Sequence, residues 1–169
     1  MLTKAQIAQD VIKWIDTEVL IPCSVYRPDW LQSTPDDAKT CVTQNMKEKR
    51  CGVCAKGALL LATIVHKNEI SCFEANRIGM SGFSLSEYIT EFTPEELDDL
   101  ENFFEFYIND VATEEQENYL DEIDNIRNGS RSKWLRLLME SVIKHDGFYP
   151  DKFIADNPLS TVTKIFAGE

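Results

Sequence analysis

Three times in this chain a threonine stands three residues before a glutamine or glutamate at the head of an apolar pattern of helical period. The pairs are Thr3 with Gln6, Thr93 with Glu96 and Thr113 with Gln116. In such a box each side chain satisfies an amide of the first helical turn that has no partner inside the helix, so the box fixes where a helix begins. The first box opens a helix over residues 3–20, with Ala8, Val11, Ile12, Ile15 and Val19 on one face and Pro22 as its stop. The second carries proline at the first helical position, Pro94, and predicts a helix to about Asp110 that buries Leu97, Leu100, Phe104, Tyr107 and Ile108. The third predicts a helix that buries Tyr119 or Leu120, Ile123 and Ile126, and stops at Asn128 and Gly129. Two more helices need no box. Residues 53–68 recur in small and apolar side chains at spacings of three and four, and residues 132–146 place Leu135, Leu138, Met139 and Val142 on one stripe before Gly147.

The connections are less regular. Residues 21–40 hold three prolines and read as an irregular loop with Tyr26 and Trp30 as anchors. Ser84 with Glu87 can open a short helix, a short hairpin or loop fits residues 70–85, and the tail after Asp151 fits either a short helix or a docked strand. Together these signals predict a mainly α protein, one compact domain of about six helices over residues 1–169.

Charge is distributed unevenly over that frame. Residues 78–126 carry 15 acids and neither lysine nor arginine, whereas the rest of the chain holds 14 acids against 17 bases. The net charge of -12 is therefore the property of one segment. A field of that sign repels nucleic acid and favours cationic surfaces. The predicted partner is a basic protein surface, a nucleic-acid-binding protein being one such case, with no direct contact to nucleic acid. The carboxylates expected to meet it are Glu95, Asp98, Asp99, Glu101, Glu105, Glu114, Glu115, Glu117 and Asp121. Uncompensated acids along successive helical turns cost roughly a few tenths of a kcal/mol per pair, so the charge asks for a reason. The basic run Arg127, Arg131, Lys133 and Arg136 follows at once and could fold back onto it. No standard calcium loop fits these segments, because neither DDLENFFEFYIND nor TEEQENYLDEIDN has the mid-loop glycine and oxygen register required.

Apolar residues make up 43% of the chain, enough to exclude a disordered acidic tract. The first 16 residues are charged and helical in period and do not read as an export signal. The longest apolar stretch, GALLLATIV, spans nine residues, about half of the roughly 18 that cross a bilayer. Five cysteines form an odd set, which suits reduced thiols in the cytoplasm better than a disulfide framework.

Those cysteines supply the one chemical motif. Cys51 and Cys54 form a CxxC pair, whose spacing lets two sulfurs converge on zinc or cycle as a dithiol. Cys41, Cys72 and Cys23 are the candidates to complete a zinc set, Cys41 and Cys72 through loop folding. His66 is not, because twelve helical residues separate it from Cys54 by about 18 Å. Without a second CxxC the ligand set is incomplete, so neither a metal nor another cofactor is predicted. Cys54 at a helix start, near Lys56 and with His145 as a distant base, could alternatively act as a nucleophile. The plain alternative is that Cys54 and Cys72 pack as small hydrophobes.

The string CAKGALLLA, followed some thirty residues on by SLSEYITEFTPEELDDLENFF, resembles a family of small bacterial and phage proteins in which a CAxGAL helix start precedes a helix with an acid-rich cap. The resemblance covers about residues 51–108 and rests on Cys54, Ala55, Gly57, Ala58 and Leu59. Tyr88, Ile89 and Thr90 stand where the family often has a tryptophan and an asparagine-aspartate pair. The family has no assigned reaction, so the resemblance implies mobile-element ancestry and no mechanism. The leading expectation is a non-enzymatic acidic binding protein, such as an inhibitor or nucleic-acid mimic. A thiol- or zinc-dependent activity at Cys51 and Cys54 and a structural part of a larger assembly stand as alternatives.

Overall fold

The computed structural model describes residues 1–24, 37–48, 51–79, 81–107, 112–126 and 130–168. Among these described residues ten helices and two short strands follow one another: α1 (Lys4–Asp16), β1 (Leu20–Pro22), α2 (Ala38–Lys47), β2 (Cys51–Val53), α3 (Ala55–Lys67), α4 (Cys72–Ala75), α5 (Gly82–Leu85), α6 (Pro94–Glu105), α7 (Glu114–Ile126), α8 (Arg131–His145), α9 (Pro150–Asp156) and α10 (Leu159–Ala167). The protein is mainly α, as the helix signals require.

The three boxes form. Thr3 and Gln6, and likewise Thr93 and Glu96, exchange side-chain and backbone hydrogen bonds at the starts of α1 and α6, and Thr113 and Gln116 do so at α7. Cys54 is the N-cap of α3, its Sγ accepting from the Gly57 amide at 3.4 Å. Ten consecutive residues of α3, Ala55 to Ile64, are buried. A helix covered all round must be surrounded. Here α1, α2, α6 and β2 enclose it, and α1 in turn lies along α8. A second centre forms where α8 meets α6 and α9. Trp134 is fully buried there, edge-on to Phe153 with ring centroids 5.4 Å apart, and its indole N–H donates to the Phe103 carbonyl at 2.8 Å. Phe148 and Phe103 complete the packing through a second edge-on contact at 5.4 Å.

Several expectations are corrected. No hairpin occupies the described part of residues 70–85. Ser71 and Ser81 each cap a single turn instead, giving α4 and α5. The strands lie elsewhere and run parallel, Leu20 opposite Cys51 and Pro22 opposite Val53, joined through α2. Asp37, whose side chain accepts the Thr40 amide at 2.7 Å, starts α2 inside a region read as loop. Helix α1 stops at Asp16, because Glu18 turns left-handed (φ 55°) and sends Leu20 into β1. Helix α6 stops at Glu105, capped by Phe106 at φ 57°, which leaves Tyr107 exposed rather than in the core. Phe106 keeps this costly conformation while stacked on Trp134 at 5.2 Å. The tail forms α9 and α10. Tyr26, Trp30, Ile108, Arg127, Asn128 and Gly129 lie outside the described residues.

Candidate interaction face

The acidic segment divides into two populations, and helix α6 holds the first. Glu96 is buried and receives the Lys4 ammonium at 2.7 and 3.0 Å while completing its capping box. Asp98 accepts from Lys56 Nζ at 2.5 Å and from the Gly82 amide at 2.8 Å, which ties α3 and α5 to α6. Glu105 takes Arg131 at 3.3 Å and the Ser24 hydroxyl at 3.0 Å. Just before the helix, Glu91 pairs with Lys67 at 2.8 Å. These carboxylates are partners of the rest of the chain, whose surplus of bases they use.

Glu101 is the clearest correction. Expected on an outward face, it is 8% exposed and lies under the start of α3. Its Oε2 accepts the Lys56 backbone amide at 2.9 Å. Its Oε1 is buried without a hydrogen bond of ordinary geometry, the adjacent Cys54 thiol being a weak donor. Burial pushes this carboxyl above the usual range, opposed by the Lys56 amide and the thiol. It cannot meet a partner. Asp98 and Glu105 are engaged internally as well, while Glu95 is exposed and Asp99 half-buried. Burial, then the charges of Glu95 and Asp98, raise the Asp99 carboxyl.

Helix α7 holds the second population. Its thirteen residues include six acids and no base. Of these, Glu114, Glu115, Glu117, Asp121 and Glu122 form no ion pair among the described residues. The described members of the basic run do not fold back onto them: Arg131 goes to Glu105, Arg136 binds Asp16 and Glu140, and Lys133 donates to the Ile165 carbonyl. Glu114, Glu115, Asp121 and Glu122 are exposed and Glu117 is half-buried.

Beside these acids runs a groove of about 730 Å³ between α7 and the α9–α10 corner. Tyr119, Ile154, Ala155, Pro158 and Leu159 give it an apolar lining, and Glu114, Glu115 and Glu122 edge it. Two hydrogen bonds set its width. Tyr119 donates its hydroxyl to the Asn157 carbonyl at 2.7 Å, and Gln116 reaches Asp151 at 3.0 Å. Burial pushes the Tyr119 phenol well above its ordinary range, so it remains a donor. The apolar half of the groove was not foreseen, because it comes from the tail. Its local signal was Pro158 before Leu159, a proline that closes one helix and leads into the next.

The cysteines lie inside. None of the five is in a disulfide, and four of them are buried. Burial raises Cys51 to about 11. Burial and the neighbouring Glu101 charge raise Cys54 further, overriding the Gly57 amide that favours its thiolate. A thiol held protonated is a poor nucleophile and a poor metal ligand at neutral pH. His145, the expected distant base, is bound to Asp156 at 2.6 Å. Among the described residues no group of three or more His, Cys, Asp or Glu side chains is placed to hold a metal ion. Nor is any helix among them long and apolar enough to cross a membrane.

No protein family, curated protein or solved structure matches the chain in sequence or fold comparison.

Proposed function

We propose that this chain is a non-enzymatic binding protein that engages a basic protein surface through α7, as an inhibitor or nucleic-acid mimic would. The observation that carries the reading is the contrast between the two acidic helices. The carboxylates of α6 are largely consumed by Lys4, Lys56 and Arg131, whereas five on α7 have no cation partner among the described residues. Glu114, Glu115, Glu117, Asp121 and Glu122 are then the contact residues. Buried thiols and the odd cysteine count support a reducing, cytoplasmic setting. A phage or other mobile-element origin rests on the resemblance over residues 51–108.

The test is retention from a low-salt lysate followed by a salt ramp, with E114Q/E115Q/E117Q/D121N run beside the unmodified chain. A partner held only by the unmodified chain and released as salt approaches a few tenths molar is expected, since exposed charges are screened within about 10 Å at 0.1 M. Equal retention by the variant, or association that persists at about 1 M salt, would contradict an electrostatic mode.

A further inference from the structure

Charge alone does not explain the groove. A purely electrostatic face needs no apolar floor, and a solvated acidic helix has no reason to stand beside exposed Leu159 and Ala155. Resting on the binding role argued above, we propose that the groove between α7 and α9–α10 docks a cationic amphipathic helix of the partner, its apolar stripe on Ile154, Pro158 and Leu159 and its lysines or arginines against Glu114, Glu115 and Glu122.

Three observations select this occupant. The groove is walled by helices, so it offers no strand edge to an extended peptide, and a helix laid between helices is the packing that remains. Its volume of about 730 Å³ suits a short row of aliphatic side chains. The rim is acidic on the α7 side, which repels anionic lipid headgroups and nucleic acid and rewards bases flanking the apolar stripe. A second copy of this chain offering its own α7 would set carboxylate against carboxylate. The bonds from Tyr119 to Asn157 and from Gln116 to Asp151 hold the two walls before any ligand arrives, so little ordering cost remains on the receptor side.

The experiment uses the full chain and three fluorescein-labelled 18-residue peptides: leucines at helical period among lysines, the same composition with that period scrambled, and lysine alone. Anisotropy titrations are read at about 50 and 300 mM salt, with Ala155→Trp to fill the groove and E114Q/E115Q/E122Q to discharge its rim. Circular dichroism confirms that each variant is folded, and Ala155 is exposed, so the tryptophan enters without disturbing the core. The periodic peptide is expected to bind one to one, to lose roughly tenfold or more in affinity to Ala155→Trp, and to weaken with salt and with the discharged rim. Binding of all three peptides that ignores Ala155→Trp overturns the groove while leaving the acidic face standing. Binding of none overturns both readings. Equal affinity for the periodic and scrambled peptides overturns the helical occupant, and a dimer dissociated by Ala155→Trp assigns the groove to a second copy instead.

Discussion

Replacing Gly82 by alanine sets local preference against packing. Gly82 opens α5, where alanine is the better helix former by up to about 1 kcal/mol, so propensity alone predicts a more stable protein. The structure predicts the reverse. A Cβ at this position would stand 2.2 Å from the Pro94 carbonyl oxygen and 2.7 Å from the Asp98 carboxyl carbon, where real Cβ atoms keep at least 3.0 Å. The Pro94 oxygen is backbone and cannot swing aside, so α5 must back away from α6 by nearly an ångström. That movement costs about 1–3 kcal/mol as overpacking. It also stretches the 2.8 Å bond from the Gly82 amide to Asp98, a charge-assisted bond worth about 1.5–3 kcal/mol. Net destabilisation of about 2–4 kcal/mol follows once propensity is subtracted. With a urea slope near 2 kcal/mol/M, the far-UV circular dichroism midpoint falls by about 1–2 M. Gly79→Ala is the control, because its Cβ would meet only the rotatable Ser84 side chain at 3.2 Å. A Gly82→Ala midpoint at or above that of the unmodified chain would refute the close docking of α5 on α6, and with it the structural role of Asp98.

Two further outcomes follow from the buried groups. Glu101→Gln keeps an oxygen for the Lys56 amide and removes a carboxylate that burial disfavours, so at pH 7 its urea midpoint should be no lower than that of the unmodified chain, whereas Glu101→Ala should lose about 2 kcal/mol by leaving that amide unsatisfied. Because the folded-state pKa of Glu101 is raised, its contribution to stability is fully present below the usual glutamate range and is lost as pH rises through the raised value. Any advantage of the glutamine variant should therefore shrink on acidification, and a constant gap would contradict the burial account. The thiols follow the same sign. Cys51, at about 11, and Cys54, higher still, stabilise the fold fully below about pH 8.5, and each forfeits about 1.4 kcal/mol per pH unit above it until its folded value is reached. Urea midpoints in reductant at pH 8, 9 and 10 should fall, less steeply in Cys54→Ala, and a flat profile would contradict it.

What could be read from the chain was local. The boxes at Thr3, Thr93 and Thr113 are complete within four residues, and each starts a helix where it stands. Helix α2 was missed because AKTCVTQNMK has little apolar signal. It is buried through Ala38, Cys41, Val42 and Asn45, so three of its four inward positions are small or polar. The strands were missed because three residues each carry no period, and their pairing spans a whole crossover. The acids on α6 misled for a different reason. Their type says surface, yet Glu101 sits four residues after Leu97 and three before Phe104, and Glu96 four before Leu100, so spacing already placed both on the apolar stripe. Their partners, the Lys4 ammonium and the Lys56 backbone amide at the start of α3, lie 92 and 45 residues away, beyond any local pattern. The groove likewise joins α7 to a tail some forty residues on, and only the fold brings them together.

The division of labour between the two acidic helices is tested most directly by the urea midpoints of two matched variants. In α6, Glu96→Gln with Asp98→Asn removes partly buried partners of Lys4 and Lys56 and should cost about 2–4 kcal/mol. In α7, E114Q/E115Q/E122Q gives up helix-dipole contacts worth about 0.3–1 kcal/mol for each first-turn acid. It relieves repulsion of a few tenths per pair, so its stability should stay within about 1 kcal/mol. An α7 variant that unfolds as early as the α6 variant would mean that its carboxylates hold the fold and are not kept free for a partner.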